Sequence, residues 1–527
     1  MTSAVQSLSA RWTGHALVDV GLAGVCAHST TSGPVREPGS LTLQDLDAAS
    51  DFIEQHYFSG ALDSYLSVVF TNNSGYCGPN KVEHPREYAW VYRPHRVAPP
   101  SRSSAPAGKR CAFCGAPATV MIHRQHLPLF SADGVLNFRP DGEATVPACP
   151  TCLLALQFLP MACRRAEGRM LAVHADDPLL TAAFARKYLQ DNKRLLQLAL
   201  PQDRAVVHEQ FEREQPYWDQ TKKTYKMAAV TGPRSLVVYD LAHIAAATEC
   251  RPRPVSIVLY VLSNSGQGPS IDEHWIPAGA ATFVRLAAGA ETRSAWDVIQ
   301  RRFEPIRARA GDAGERGARR GRQRGSAAAA VPGRAGWSRN RAFEDLCDIF
   351  DAGFVDRTKA KEWLRRHVLG RVERGGRVVG YRKDGTPLWA LANLFLKEVM
   401  GMKPARIEAI RAFADKLATH IDRTFDRKLL RALLEGHMRD VRPALLGAQR
   451  HLARDGQLLF GLDEYATVWL HEDGDEWLVR DLICIRLVER LHELGFFNRH
   501  PEEALPDAGT VGAEEAEKAE SEEEAAP

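Results

Sequence analysis

Cys111-Ala-Phe-Cys114 and Cys149-Pro-Thr-Cys152 decide how this chain is read. In each pair, two intervening residues let both thiolates curl onto a single ion, and two such knuckles complete a tetrahedral set of four sulfurs. Gly115 follows the first pair, where a knuckle turn favours glycine. The 34 residues between the pairs exceed the usual ribbon spacing, but the entropy of closing a loop grows only with the logarithm of its length. A dithiol redox role needs one C-x2-C rather than two. Four closed thiolates also leave no open position for metal catalysis. The spacing predicts one structural zinc on Cys111, Cys114, Cys149 and Cys152. His123 and His126 lie between the pairs, and either is a possible substitute ligand.

The rest of the composition frames that module. Ten cysteines in 527 residues are too sparse for a disulfide scaffold, and in a reducing compartment paired cysteines point to metal. Cys26, Cys77, Cys163, Cys250, Cys347 and Cys484 stand alone and read as small buried hydrophobes. The length suits three or four domains. No run of 18 apolar residues reads as a membrane span. The opening Met1-Thr-Ser-Ala-Val-Gln6 lacks the basic and apolar regions of a secretory signal, so a cytoplasmic protein with no membrane partner is expected. The net charge of +3 conceals an asymmetry: residues 502–527 carry −9, which leaves +12 on residues 1–501. A basic body with a short acidic run suggests a polyanionic partner.

Working outward from the cysteines, the pattern predicts an α+β fold. Residues 1–108 read as a mixed recognition region, 109–160 as an inserted zinc-stapled module and 161–300 as a continuation of the α+β body. Residues 301–341 read as an Arg/Gly-rich mobile arm, 342–500 as an all-α bundle and 501–527 as an acidic disordered tail. Thr42-Leu-Gln-Asp45 is a capping-box sequence, followed by Leu46, Phe52, Ile53 and Tyr57 at roughly helical spacing. Residues 71–80 read as a loop and 96–108 as a Pro/Ser/Ala-rich linker. Residues 178–200 read as a helix, and Val255–Leu262 as a buried strand ending in a turn over Ser263–Pro269. Ile407, Ile410, Ala414, Leu417 and Ile421 share one helical face, as do Leu478, Leu482, Ile485, Val488 and Leu491.

Several features fit nucleic acid. Residues 301–341 hold twelve arginines against three acidic residues, and Arg319, Arg320, Arg322 and Arg324 sit among glycines that leave them free to reach phosphates. Residues 357–383 hold ten Lys or Arg against two Glu, interleaved with Trp363 and Tyr381 and followed by Trp389. These rings either stack on bases or fill a core; for Trp389 the core is favoured. Asn72, Asn73, Ser74 and Tyr76 offer side chains on a loop that can read base edges in a groove, with an ordinary turn as the alternative.

With these residues in hand, the chain resembles the large subunit of type I-B CRISPR Cascade complexes, in their CXXC–CXXC branch. Four segments carry the resemblance: Thr13-Gly-His-Ala-Leu-Val-Asp-Val-Gly-Leu22, Phe70-Thr-Asn-Asn-Ser-Gly-Tyr76, the cysteine pairs, and Leu262-Ser-Asn-Ser-Gly-Gln-Gly-Pro269. All lie in the first 270 residues; the helical second half matches in architecture only. The resemblance implies a non-catalytic subunit that reads the protospacer-adjacent motif in target DNA and supports strand opening, while pairing with the crRNA supplies sequence specificity. It also implies backbone and crRNA-processing subunits as partners, and a separate helicase–nuclease or other effector. The family commonly makes its small subunit from an internal start. Met400 or Met402, followed by Lys403 and Pro404, would begin such a product over about residues 400–527. The alternative is an HNH-type metal-dependent nuclease, suggested by His126-Leu-Pro128 ahead of the second cysteine pair. Leu153 after Cys152 departs from that pattern.

Overall fold

The computed structural model describes residues 10–30, 32–71, 74–77, 81–129, 145–166, 169–199, 214–219, 224–229, 232–247, 254–265, 268–300, 304–305, 338–351, 354–368, 372–374, 377–379, 389–434, 438–454, 456–470, 476–500 and 503. The chain forms two compact units, Met1–Ala281 with Phe303–Glu344 and Thr282–Arg302 with Asp345–Pro527. The fold is α+β with a cysteine cluster and a helical C-terminal region, as the sequence predicts.

The first unit is organised around α1 (Ala16–His28), which is apolar nearly all round and buried from Val18 to Ala27. Asp19 fixes its start by accepting hydrogen bonds from the Thr13 and Gly14 backbone N–H groups at 2.8 and 2.9 Å and from the Thr13 hydroxyl at 2.8 Å. Burial alone would raise the Asp19 carboxyl, but hydrogen bonds from His174, Thr13 and Gly14 outweigh it and hold the group below its ordinary value. The expected capping box opens α2 (Leu43–His56): Thr42 Oγ1 accepts from the Asp45 N–H, and the Asp45 carboxylate accepts from the Thr42 N–H at 2.8 Å. Two single turns follow, α3 (Asp63–Leu66) and α4 (Ala89–Tyr92).

Residues 96–108 are not a free linker. Ser103 is buried, Ser104 bridges Val120, and the Ala105 N–H donates to the Thr119 carbonyl at 3.1 Å. The Pro/Ser composition hid this because the partners are backbone groups about 15 residues further along the chain. Strands β1 (Val120–Ile122) and β2 (Val146–Ala148) pair antiparallel, Val120 opposite Ala148, and lead into α5 (Pro150–Phe158). Helix α1 lies directly on α5. A Cβ on Gly21 would stand 2.0 Å from the Ala155 carbonyl oxygen, and one on Gly24 would stand 3.1 Å from Phe158 Cδ1 and 2.8 Å from Ala162 Cβ just past α5, so glycine is what permits the approach. Val120, Ile122, Cys111, Cys149 and Cys152 belong to the same hydrophobic cluster as α1 and α2, so the cysteine module is built into the core.

Beyond α5 come β3 (Arg164–Ala166), β4 (Arg169–Ala175), α6 (Pro178–Ala199), the hairpin β5 (Glu214–Asp219) and β6 (Thr224–Ala229), α7 (Pro233–Ala247), β7 (Ile257–Ser265) and β8 (Gly268–Ile276). An antiparallel sheet runs β3-β4-β7-β8. The expected turn after β7 is tighter than residues 263–269. Pairing continues through Ser263 opposite Ser270 to Ser265 opposite Gly268, with the two serine hydroxyls 2.7 Å apart. Strands β9 (Glu304–Pro305) and β10 (Ser338–Arg339) pair antiparallel and bring the ends of the arginine-rich segment side by side.

The second unit contains α8 (Ala278–Ala287) from Thr282 onward, α9 (Arg293–Gln300) and α10 (Arg341–Asp348) from Asp345 onward. It continues with α11 (Arg357–Trp363), α12 (Trp389–Glu398), α13 (Pro404–Thr424), α14 (Arg427–Leu434), α15 (Met438–Arg454), α16 (Leu462–Trp469), α17 (Glu476–Glu493) and α18 (Phe496–Arg499). Two hairpins interrupt the expected all-α pattern: β11 (Phe350–Asp351) with β12 (Phe354–Val355), and β13 (Val372–Arg374) with β14 (Arg377–Val379). The two predicted apolar stripes are the buried faces of α13 and α17. The fully buried Arg480 donates through Nε and Nη2 to the Leu433 carbonyl at 3.0 and 2.8 Å, capping the last turn of α14. Trp363 does not present its ring for bases. It is buried and stacked on Phe395 at 4.6 Å, with Phe283 edge-on at 5.6 Å. Trp389 is buried as expected; Tyr381 lies outside the described residues.

Candidate metal centre

The four cysteines converge. One Sγ from each lies within 4.8 Å of every other, and Cys114 and Cys149 are 3.6 Å apart. Cys111, Cys149 and Cys152 are buried and Cys114 is half-buried. Local backbone chemistry builds the first knuckle. The Cys111 N–H donates to the Ala116 carbonyl at 2.7 Å, the Gly115 N–H returns to the Cys111 carbonyl at 2.9 Å, and Gly115 takes the left-handed conformation with φ +72°. The second knuckle is the start of a helix: Cys149 is the N-cap of α5, and its Sγ accepts from the Cys152 N–H at 3.5 Å. A helix N-terminus favours the thiolate form of a cysteine placed there. One bond ties the knuckles together, from the Ala112 N–H to the Pro147 carbonyl at 2.9 Å.

Sequence reading missed the covering of this centre. Arg11 donates through Nη2 to the Cys114 carbonyl at 2.7 Å, and the His15 ring meets Phe113 edge-on at 5.1 Å. The segment entering α1 therefore lies over the first knuckle. The available signal was the Thr13–Leu22 stretch itself, which carries the buried Asp19 and Gly21. Four sulfurs at this separation cannot all ionise without a compensating cation. Hydrogen bonding from Cys149 and Cys152 holds the Cys111 thiol below its ordinary value, and Cys111 in turn raises Cys149 and Cys152. The cluster can hold one metal ion, and with four protein ligands no position is left for water or substrate.

The histidines between the pairs are arranged differently. His126 is 2% exposed; its Nδ1 accepts from the His123 N–H at 3.2 Å and its Nε2 lies 3.1 Å from Gln125 Nε2. Trp90 stands edge-on to the ring at 4.6 Å, and burial pushes the imidazole down to about 3. Neither histidine is in the cluster of convergent ligands.

The expected base-reading loop divides. Ser74 and Tyr76 are fully buried, so neither offers its side chain to a groove. Tyr76 sits among Tyr57, Phe58, Phe70 and Tyr88, with ring centroids 5.0 to 5.3 Å away, and aromatic packing of this kind outweighs the polar look of its neighbours. Asn72, Asn73, Arg319, Arg320, Arg322 and Arg324 lie outside the described residues. Among the described residues no helix is long and apolar enough to cross a membrane. No family model, curated protein or solved structure matches the chain.

Proposed function

We propose that this chain is the non-catalytic large subunit of an RNA-guided surveillance complex of the type I-B Cascade kind, stapled by one structural zinc and acting on target DNA in the cytoplasm. The observation that carries the nucleic-acid reading is the distribution of charge: +12 over residues 1–501, with +9 of it in 301–341. Zinc suits the cluster. At a Zn–S length of about 2.3 Å, the edge of a sulfur tetrahedron is about 3.8 Å, close to the 3.6 Å between Cys114 and Cys149. Cys111, Cys114, Cys149 and Cys152 would hold the ion, which joins the first knuckle to α5 and supplies folding energy rather than catalysis.

In this reading Arg319, Arg320, Arg322 and Arg324 contact phosphates, Asn72 and Asn73 read the short duplex motif, and the crRNA reads the remaining sequence. Backbone subunits, a helicase–nuclease or other effector, and a small subunit begun at Met400 or Met402 complete the assembly. The HNH nuclease reading retains one specific support: a two-stranded hairpin, β1–β2, running into α5 beside His126. The burial of His126 favours the binding reading, since a general base must reach its proton. Loss of DNA cleavage on substituting His123 and His126, with binding intact, would favour the nuclease. The main test is sequencing of the RNA that co-purifies with the tagged chain from its native host. Short RNAs of uniform length sharing a constant flank are expected. Heterogeneous fragments, or no RNA, would overturn the proposal.

A further inference from the structure

Helix α13 ends at Thr424, capped by Phe425 in the left-handed conformation with φ +52°, and α14 starts two residues later. Helix α14 buries Leu429, Leu430, Leu433 and Leu434, while Arg423, Arg427, Lys428 and Arg431 are exposed around the junction. Arg427 and Arg431 are spaced i,i+4, so two like charges face each other on one helix turn, an arrangement that is unfavourable unless an anion lies between them. Among the described residues, the nearby acids on this stretch have other partners: Asp422 pairs with Arg499, and Asp426 accepts from the Leu429 N–H at 3.0 Å and lies 3.7 Å from His420.

The chain returns to this junction after α18. His500 stacks on Phe425 at 4.1 Å, and Glu503, itself 9% exposed, places Oε1 2.6 Å from Arg427 Nε and 3.6 Å from Arg431 Nη2. Glu503 thus supplies the first anion between the two arginines. Residues 504–527 follow with eight further carboxylates and one lysine, a net of −7.

We propose that the acidic segment 504–527 docks on the basic face of Arg423, Arg427, Lys428 and Arg431 and competes there with nucleic acid for the same cations. Charge complementarity selects the occupant, and Glu503 delivers it to the spot. A segment tethered at the edge of its site acts at an effective concentration in the millimolar range, so individually weak pairs suffice. The competitor rests on the proposed nucleic-acid function; the docking does not.

The test uses the full-length chain with the eight carboxylates of 504–527 replaced by their amides. Four contested cations, each worth a factor of about 1.4 or more, predict that this variant binds labelled non-specific single-stranded DNA at least about fourfold more tightly at low salt. The gain should vanish near 1 M salt, where the screening length is about 3 Å. It should also vanish when Arg423→Gln, Arg427→Gln, Lys428→Gln and Arg431→Gln are added. A gain that survives those four substitutions would place the segment elsewhere and overturn the proposal, as would no gain in a chain that binds DNA. If no variant binds DNA, the proposed function fails, and the docking is read separately with a fluorescent peptide of residues 504–527. That peptide should bind the amide-substituted chain but not its four-glutamine derivative; equal binding to both, or to neither, overturns it.

Discussion

Replacing Gly21 by alanine adds one methyl group at the place where α1 and α5 touch. The new Cβ would stand 2.0 Å from the Ala155 oxygen and 2.7 Å from its carbonyl carbon, whereas real Cβ contacts essentially never fall below 3.0 Å. The obstructing atoms are backbone, so no side chain can rotate aside, and α1 must retreat from α5 by about 1 Å or more to restore ordinary contact. Overpacking of this kind costs about 1–3 kcal/mol. The upper end is expected, because Cys149 and Cys152 pin the start of α5 to the cysteine cluster. About 3 kcal/mol is roughly two decades in the folding equilibrium. With a urea slope of about 1–3 kcal/mol per molar, the melting midpoint should fall by about 1–3 M at unchanged slope. Gly39→Ala is the control: its nearest neighbour is 3.9 Å away, and a change within about 0.5 kcal/mol is expected. A Gly21→Ala midpoint within that same margin, or an equal fall in both variants, would refute the close approach as the reason for glycine.

Cys114→Ala should remove the bound metal and lower stability, because metal binding and folding are coupled; one metal per chain remaining by elemental analysis would refute the four-ligand assignment. Neutralising Arg319, Arg320, Arg322 and Arg324 should weaken DNA binding about equally on all sequences and flatten the log–log salt slope by about 0.9 for each phosphate no longer neutralised; an unchanged slope would take these arginines off the DNA. The Arg96 hydrogen bond, assisted by His95 against a smaller burial effect, holds the Asp47 carboxyl down at about 2. Its contribution is therefore present above the ordinary value of 3.8 and lost as pH falls toward about 2. Asp47→Asn should flatten that acid limb of the stability curve, by less than about 1 kcal/mol for so exposed a pair; a shift of equal size at pH 7 and pH 2 would count against the linkage.

The cysteine cluster was legible because its information is local: two short spacings and Gly115 specify two knuckles whatever surrounds them. The capping box at Thr42 and the stripes on α13 and α17 were legible for the same reason, each being a pattern within one element. What was hidden depends on partners distant in sequence. Tyr76 lies in a run of Asn, Ser and Gly, yet rings from four other positions enclose it; the apolar Tyr76-Cys77 pair inside a polar stretch was the only sequence hint. Trp363 stands in a basic stretch, but its ring is claimed by Phe395 on α12 and Phe283 on α8. Gly21 reads as an ordinary helix glycine until α5 is seen against it.

Whether the chain grips nucleic acid without cutting it, as proposed above, is decided by one titration of labelled duplex DNA with the purified chain. The titration runs from low to high salt with divalent cations present, and the recovered DNA is sized afterwards. The expected result is binding whose logarithmic affinity falls linearly with the logarithm of salt concentration, at about 0.9 per neutralised phosphate, and DNA recovered at full length. DNA left unbound at low salt, or recovered as cleaved fragments, would contradict the proposal.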